Sequence, residues 1–304
     1  MHGVDFDNLL DRLKGRVDRA FGYPALRRRF RKVHGHDPDL RNPKGYAEKV
    51  QWRKLNDRNP LFPIAADKLR CREFLRDVLG NTRADAILPQ LLHHTDDPDT
   101  LPFDRMREGA VIKGSHGSGW CVFCTPGQLL DEAAIRATCR TWLRRRHFGA
   151  HMQEWLYSQI PPRIIVEELL GDADAGRPLD LKVHMFGEKI GLIAVFDFRG
   201  HPQKQGFYTE YWEESEIRQI APPRDDLPPL ERPPYLEEVC GIAREIGAYF
   251  DSVRVDFLIM PDRFWIGELT LYHNSGFSRF GPNGAERTLG DMWHLPVNHG
   301  ASGT

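Results

Sequence analysis

With 304 residues, 28% of them charged and a formal net charge of −1, the chain has no excess of either sign to demand a nucleic acid or an anionic membrane as partner. It can bury a substantial core in one large domain or two lobes, and no apolar run approaches the roughly 20 residues of a membrane span. The opening MHGVDFDNLLDRLKG is acidic and amphipathic, unlike a signal peptide, so a soluble, cytoplasmic protein without an integral membrane segment is expected.

Residues 4 to 21 set Phe6, Leu9, Leu10, Leu13, Val17, Ala20 and Phe21 on one helical face. The basic run Arg27 to Lys32 reads as a solvated helix face. Asn42-Pro43-Lys44-Gly45 is a turn and helix start, and a helix through Ala47, Val50 and Leu55 ends before Asn59-Pro60. A further helix is predicted from Ala65 to Leu79, with Cys71, Phe74, Leu75 and Val78 inward, Gly80 as its C-cap and Lys68 near its start.

After Gly80 the pattern is mixed. Strands are predicted at Ile87 to Leu92, Ala110 to Lys113 and Trp120 to Cys124, and Asp131 caps a helix with Ile135, Cys139, Trp142 and Leu143 inward. Pro161-Pro162 precedes a short strand, Arg163 to Glu168, and the Asp- and Gly-rich stretch Gly171 to Pro178 reads as a hinge exit. Two strands follow at Leu181 to Phe186 and Lys189 to Phe198, then a proline-rich irregular segment over 221 to 234. A helix faces Leu236, Val239, Cys240, Ala243, Ile246, Gly247 and Phe250 inward. Strands Val253 to Met260 and Arg263 to Thr270 finish the core, and the small, polar tail Asn298 to Thr304 is expected to fray.

Five cysteines, Cys71, Cys121, Cys124, Cys139 and Cys240, are odd in number and scattered, which argues against a disulfide framework. Cys121-x-x-Cys124 invites a zinc or redox reading, but an offset of three in a strand sends the two side chains to opposite faces, and no second pair completes a site. His93-His94 and His34-x-His36 lack partners at ligand spacing.

The stretch most pointed toward chemistry is AVIKGSHGSGWCVFC, Ala110 to Cys124. A strand ends at Lys113, passes through Gly114, Ser115, His116, Gly117, Ser118 and Gly119, and resumes at Trp120. The glycines make a mobile hairpin tip whose backbone N–H groups can approach an anion, with the Lys113 ammonium at its mouth. This is a phosphate-covering arrangement suited to ATP, and it is neither of the two commonest phosphate motifs. An ordinary Gly/Ser hairpin is the bland alternative.

The second pointer is the last hairpin. Alternation puts Arg254 and Asp256 on one face of its first strand and Glu268 and Thr270 on one face of its second. If Pro261 to Arg263 form the loop, Met260 pairs with Phe264 and Asp256 opposes Glu268. Two opposed carboxylates repel unless a cation lies between them. Mg²⁺ suits the place, because it takes one or two carboxylates plus phosphate oxygens. Arg254 beside them could hold a phosphate or a developing oxyanion, or simply pair with one acid as a surface ion pair.

The segments EKVQWRKLNDRNPLF…ADKLRCREF, VIKGSHGSGW, PRIIVEELL, Asp180-Leu181-Lys182 and VRVDF…WIGELT…SGF together resemble the TupA-like ATP-grasp family, associated with teichuronopeptide and other surface-polysaccharide biosynthesis. The resemblance extends from about residue 45 to 290 and implies an α+β ATP-grasp fold, two α+β lobes clasping ATP, with a helical N-terminal extension. The expected division is a helical region 1–64, a lobe 65–166 with the glycine-rich lid, a C-terminal lobe 167–297 with the magnesium carboxylates, and a flexible tail 298–304.

The resemblance also implies roles. Lys68 and Lys113 match the two ATP-contacting lysines, and Gly114 to Gly119 the loop closing over the β- and γ-phosphates. Glu167 to Leu170 match the hinge, where backbone groups of Glu168 and Leu170 read adenine. Asp180 matches an acid touching ribose, with Lys182 on the same strand face. Asp256 and Glu268 match the magnesium ligands and Arg254 the arginine facing the transferred phosphate. Thr270 replaces an asparagine that many relatives use as a further metal ligand, so its hydroxyl, a water or Asn274 would substitute. Ser115 likewise stands where close relatives carry asparagine. The implied activity is ATP- and Mg²⁺-dependent carboxylate–amine ligation through an acyl phosphate, joining an amino acid or peptide to a uronic-acid carboxyl, in the cytoplasm and peripheral to a membrane-bound assembly system. The alternatives are a kinase on the same fold, a non-catalytic nucleotide-binding protein, and a glycosyltransferase, as members are loosely labelled, with Asp172-Ala173-Asp174 as its D-x-D.

Overall fold

The computed structural model describes residues 6–145, 149–171, 176–198, 204–220 and 229–296. Asp172, Ala173 and Asp174 and the tail Asn298 to Thr304 lie outside the described residues. The helices are α1 (Phe6–Ala20), α2 (Pro24–His34), α3 (Tyr46–Asn56), α4 (Leu61–Ala66), α5 (Cys71–Leu79), α6 (Asn81–Ile87), α7 (Phe103–Met106), α8 (Glu132–Arg144), α9 (Leu236–Gly247) and α10 (Ala285–Met292). The strands are β1 (Leu91–Thr95), β2 (Ala110–Gly114), β3 (Cys121–Cys124), β4 (Ile164–Glu168), β5 (Leu179–Phe186), β6 (Lys189–Asp197), β7 (Lys204–Tyr208), β8 (Arg218–Gln219), β9 (Val253–Ile259), β10 (Phe264–Thr270) and β11 (Phe280–Gly281). Helices and antiparallel sheets make an α+β protein of two compact units, one of residues 1–20 and 60–177, the other of 21–59 and 178–304.

The first unit is built on a sheet of order β1-β4-β2-β3, antiparallel throughout. Period-2 alternation gives it one apolar face, where Ala110, Ile112, Cys124, Ile164 and Val166 pack with Phe103 and Met106 of α7 and Ile135, Cys139 and Trp142 of α8. Asp131 caps α8 as its sequence predicts, its carboxylate accepting from Ala134 N at 2.9 Å. Cys124 is buried and Cys121 exposed, and all five cysteines are free.

The second unit carries a sheet of order β10-β9-β5-β6-β7. Helix α9 packs on β5, β6 and β9, burying Val239, Cys240, Ile242, Ala243 and Ile246. Alternation then leaves Asp180, Lys182 and His184 of β5, and Arg254 and Asp256 of β9, in one polar row on the other face.

The division differs from the boundaries expected at 64/65 and 166/167. A cut after Val166 would split β4, which is paired with both β1 and β2. The N-terminal helices also form no body of their own. Helix α1 belongs with the first unit, and α3 is tied into the second by buried polar side chains. Gln51 Nε2 donates to Ser275 O at 2.9 Å, Arg53 Nη1 to Ser252 O at 2.8 Å and Leu271 O at 3.0 Å, and Lys54 Nζ to Ser275 O at 2.9 Å.

Two local expectations are also corrected. The helix foreseen from Ala65 to Leu79 is broken into α4 and α5, because Asp67 Oδ1 accepts from Leu69 N at 2.9 Å and turns the chain. The strand foreseen at Ile87 to Leu92 starts four residues later, at Leu91, since Ile87 closes α6.

Candidate functional site

In the first unit, Lys68 lies in the turn between α4 and α5. Its Nζ donates to Gly117 O at 2.8 Å and its backbone N to Ser115 O at 3.3 Å, so the lysine is joined to the glycine loop across 49 residues of chain. Lys113 projects from the face of β2 opposite the apolar core. Its Nζ donates to Glu167 Oε2 at 2.7 Å, and Arg72 of α5 donates to Glu167 Oε1 at 3.1 Å and to Pro89 O at 2.7 Å. The buried Glu167 carboxylate thus has two cationic partners.

The loop between β2 and β3 is anchored over its first half, whereas the sequence suggested a mobile tip. Ser115 and His116 are buried. Ser115 N donates to Arg163 O at 2.9 Å, and His116 Nε2 donates to Trp142 O at 2.9 Å with its ring 5.1 Å from that of Trp120. Burial pushes the His116 imidazole down to about 4, and its Nδ1 is buried without a hydrogen-bond partner. Gly117 is obligatory here, because a Cβ would lie 2.5 Å from the Trp120 ring. Ser118 and Gly119 are exposed. The amide of Glu168, expected to read a base, donates to Gln90 O at 3.0 Å, and Leu170 is half-buried.

In the second unit, the row across β5, β9 and β10 brings together six residues named from the sequence. Lys182 faces Asp256 in register and His184 faces Arg254, while Glu268 faces Asp256 and Thr270 faces Arg254. Arg254 Nε donates to Asp256 Oδ1 and its Nη2 to Asp256 Oδ2, both at 2.6 Å. Its Nη2 also donates to Thr270 Oγ1 at 3.1 Å and its Nη1 to His273 Nδ1 at 2.6 Å. Lys182 Nζ lies 2.7 Å from Asp180 Oδ2 and 3.1 Å from Asp256 Oδ2. Thr270 Oγ1 donates to Glu268 Oε1 at 3.3 Å, and Glu268 Oε1 is 3.7 Å from Arg254 Nη2.

Burial alone would raise the Asp256 carboxyl, but Arg254 and Lys182 outweigh it and hold the group below its ordinary range. Burial would likewise lower Lys182 and Arg254, and Asp256 reverses both. Asp180, by contrast, is raised by burial despite Lys182.

The Asp256–Glu268 opposition holds, but by a different route from the one expected. The loop is one residue longer, so Phe264 pairs with Ile259, and a bulge between Ile266 and Glu268 takes up the difference at Gly267. This bulge puts Phe264 and Ile266 with the apolar residues of β9 and swings Glu268 and Thr270 to the polar side.

Sequence reasoning missed Arg72, His184 and His273. His184 could have been found, since Asp180-x-Lys182-x-His184 continues a polar period of two along β5. His273 sits in the 3₁₀ turn His273–Gly276, whose Asn274 and Ser275 adopt positive φ of 42° and 57°. The turn is held there by Gln51 and Lys54 of α3. Asn274, a candidate metal ligand, donates from Nδ2 to Ser278 Oγ at 2.6 Å.

Whether this row suits Mg²⁺ can be judged from its donors. Asp180, Asp256 and Glu268 set three carboxylates against two cations, Lys182 and Arg254, and the surplus negative charge suits a divalent cation. Among the described residues no group of three or more His, Cys, Asp or Glu could hold a metal ion. A Mg²⁺ ion held here would take its remaining ligands from phosphate oxygens or water, which is its habit.

A sequence model of the TupA-like ATPgrasp family matches residues 48–294. Solved structures with similarity include the ATP-grasp ligase PsnB complexed with a minimal precursor, at 14% identity, covering 70% of this chain and 54% of that one with a TM-score of 0.37. They also include D-alanine–D-alanine ligase from Bacillus anthracis complexed with ATP, at 13% identity, 68% and 55% coverage and a TM-score of 0.39. A third is the macrocyclase MdnC from Microcystis aeruginosa MRC bound with precursor peptide MdnA, at 16% identity, 78% and 64% coverage and a TM-score of 0.39. The chain spans little more than half the length of the first two. No curated protein matches it. No helix among the described residues is long and apolar enough to cross a membrane.

Proposed function

Because the chain belongs to the TupA-like ATP-grasp family, we propose that it is an ATP- and Mg²⁺-dependent carboxylate–amine ligase. The observation that carries this reading is the polar row of the second unit, where Lys182, Arg254, Asp256 and Glu268 converge from three adjacent strands. The carboxylate substrate is assigned to a uronic acid of a surface-polysaccharide precursor and the amine to an amino acid or peptide, on the family resemblance. The site of action is the cytoplasm.

Asp256 and Glu268 would hold Mg²⁺, which when bound neutralises charge on the nucleotide phosphates. Thr270, whose hydroxyl accepts from Arg254 and donates to Glu268, would orient the Glu268 carboxylate beside the metal. Four of the five guanidinium N–H groups of Arg254 are engaged by Asp256, Thr270 and His273, which fixes the plane of the group and leaves an Nη1 hydrogen to meet the transferred phosphoryl.

In the first unit, Lys113 can leave Glu167 for a phosphate without stranding a buried carboxylate, because Arg72 stays behind. Lys68 would exchange its bond to Gly117 O for one to a phosphate. With the amides of Gly114 and Ser115 already bonded, phosphate contacts from the loop fall to the backbone of His116 to Gly119. Asp180 would meet the ribose, and the chain from Glu167 to Leu170 the adenine.

The chemistry is attack of a carboxylate on the γ-phosphorus, with ADP leaving, then displacement of phosphate by an amine to give an amide. The test is ADP release with hexuronic acids or their glycans, with and without amino acids. Release that requires both a carboxylate and an amine supports the ligase; release with a hydroxyl acceptor and no amine identifies a kinase. Lys113→Ala and Glu268→Ala should each abolish ATP turnover while the thermal melt is kept, and full turnover in the double variant refutes the site.

A further inference from the structure

Helix α1 is docked by its polar side. It lies on the turn Ala150–Met152, where Gly15 and Asp18 are buried, Gln153 Nε2 donates to Gly15 O at 2.9 Å, and Asp11 Oδ2 is 3.5 Å from His151 Nδ1. A Cβ on Gly15 would sit 2.6 Å from Ala150 O, so the helix backbone itself is in contact. The apolar stripe points the other way. Leu9, Leu10, Leu13 and Val17 are 51%, 44%, 56% and 48% exposed, and Phe21 just beyond the helix is 76% exposed. A helix that buries its polar face and presents its leucines to solvent has an unmet partner.

The charges say which partner. At 100° per residue, Lys14 borders the stripe on one side and Arg16 on the other, with Arg12 and Arg19 further round beyond Arg16. All four are exposed. Asp11 and Asp18 lie opposite the stripe, against the protein. Cations on both rims, with Asp11 and Asp18 remote from the stripe and Asp7 the one acid of the helix beyond Lys14, is the pattern of a helix lying in a bilayer interface, where long basic side chains reach up to anionic headgroups while leucines enter the acyl boundary. A second copy pairing through this stripe would bring together Arg12, Lys14, Arg16 and Arg19 of both molecules with a single helix acid, Asp7, near the rim of each.

We propose that α1 docks the protein on an anionic lipid surface, lying in its plane, with Leu9, Leu10, Leu13 and Val17 inserted and Lys14 and Arg16 at the phosphates. This inference is independent of the proposed reaction.

The experiment is sedimentation of the whole chain with vesicles of phosphatidylglycerol and phosphatidylcholine, against pure phosphatidylcholine, at low and high salt. The wild type should sediment with the anionic vesicles and be released by salt. L13S/V17S should lose at least about tenfold in partitioning, since a single amphipathic face supplies the apolar part. K14E/R16E should lose roughly fivefold or more for each cation, with little change on neutral vesicles. Both pairs point to solvent, so their melts should match the wild type. Absence of binding to anionic vesicles, or equal binding by L13S/V17S, overturns the proposal. So does a dimer in light scattering that L13S/V17S dissociates, because the stripe would then belong to a second copy.

Discussion

Asp256 has two duties that mutagenesis can separate. As a candidate metal ligand it resembles Glu268, but it is also the counter-charge that lets Arg254 and Lys182 be buried: Arg254 grips both its oxygens at 2.6 Å and Lys182 shares one at 3.1 Å. Removing it leaves two buried cations under-compensated, and such losses are far more costly than a surface pair is worth. Asp256→Asn should therefore lower the unfolding free energy by about 3 kcal/mol in urea, whereas Glu268→Gln, at a half-exposed carboxylate, should lower it by less than about 1 kcal/mol. Both should fail in ATP turnover. Equal stability of the two variants would mean that the Arg254–Asp256 pair is not the support of this row. Lys113→Ala should resemble Glu268→Gln, since Arg72 still holds Glu167.

At the scale of elements, β10 shows how a correct inference can rest on an incorrect count. The loop is longer than sequence implied, and Gly267 absorbs the extra residue, so Glu268 still meets Asp256. Gly267 is thus the dispensable residue of the strand. Deleting it leaves Phe264 opposite Ile259 and Glu268 opposite Asp256, and the hairpin should keep folding and ATP turnover, with a modest loss in melting temperature. Deleting Leu269 instead slides Thr270 opposite Val255, onto the apolar face, and should abolish both. Indistinguishable melts for the two deletions would rule out the bulge as the register device. What could be read beforehand was what has a local period: the alternation that aligned Arg254 with Asp256, the helical face of α9, the Asp131 cap. The break at Asp67 was hidden because a side chain competed with the helix for the backbone, and Arg72 was hidden because its partner Glu167 lies 95 residues away. The inverted docking of α1 escaped for a related reason: periodicity finds an apolar stripe but does not say which way it faces, and net charge does not reveal that the cations sit on its rims.

At the scale of the molecule, both units bury histidines that are held neutral. In the first, burial brings His116 down to about 4. In the second, burial followed by the charge of Arg254 brings His184 down to about 3 and His273 well below its usual value. In the unfolded chain these groups titrate near 6.5, so between that pH and the folded values the unfolded state binds more protons, and stability falls as pH falls. Each such histidine contributes a slope of about 1.4 kcal/mol per pH unit once the pH is well below 6.5. Burial also lowers His93 in the first unit and His34 in the second, so with three such histidines against two the second unit should lose stability more steeply than the first. Asp180 and Glu286, raised by burial, act with the opposite sign, but only near the carboxylate range, so the window just below pH 6.5 belongs to the histidines. Limited proteolysis at about pH 5.5 should therefore release peptides of residues 178–296 before those of 60–171, with the order lost near neutrality. His184→Phe, which keeps an aromatic ring beside Tyr46 and Phe280, should flatten the fall of melting temperature with acid by the share of one proton. If the variant and the wild type lose stability in parallel, His184 takes up its proton without unfolding, and the buried row of the second unit is open to water.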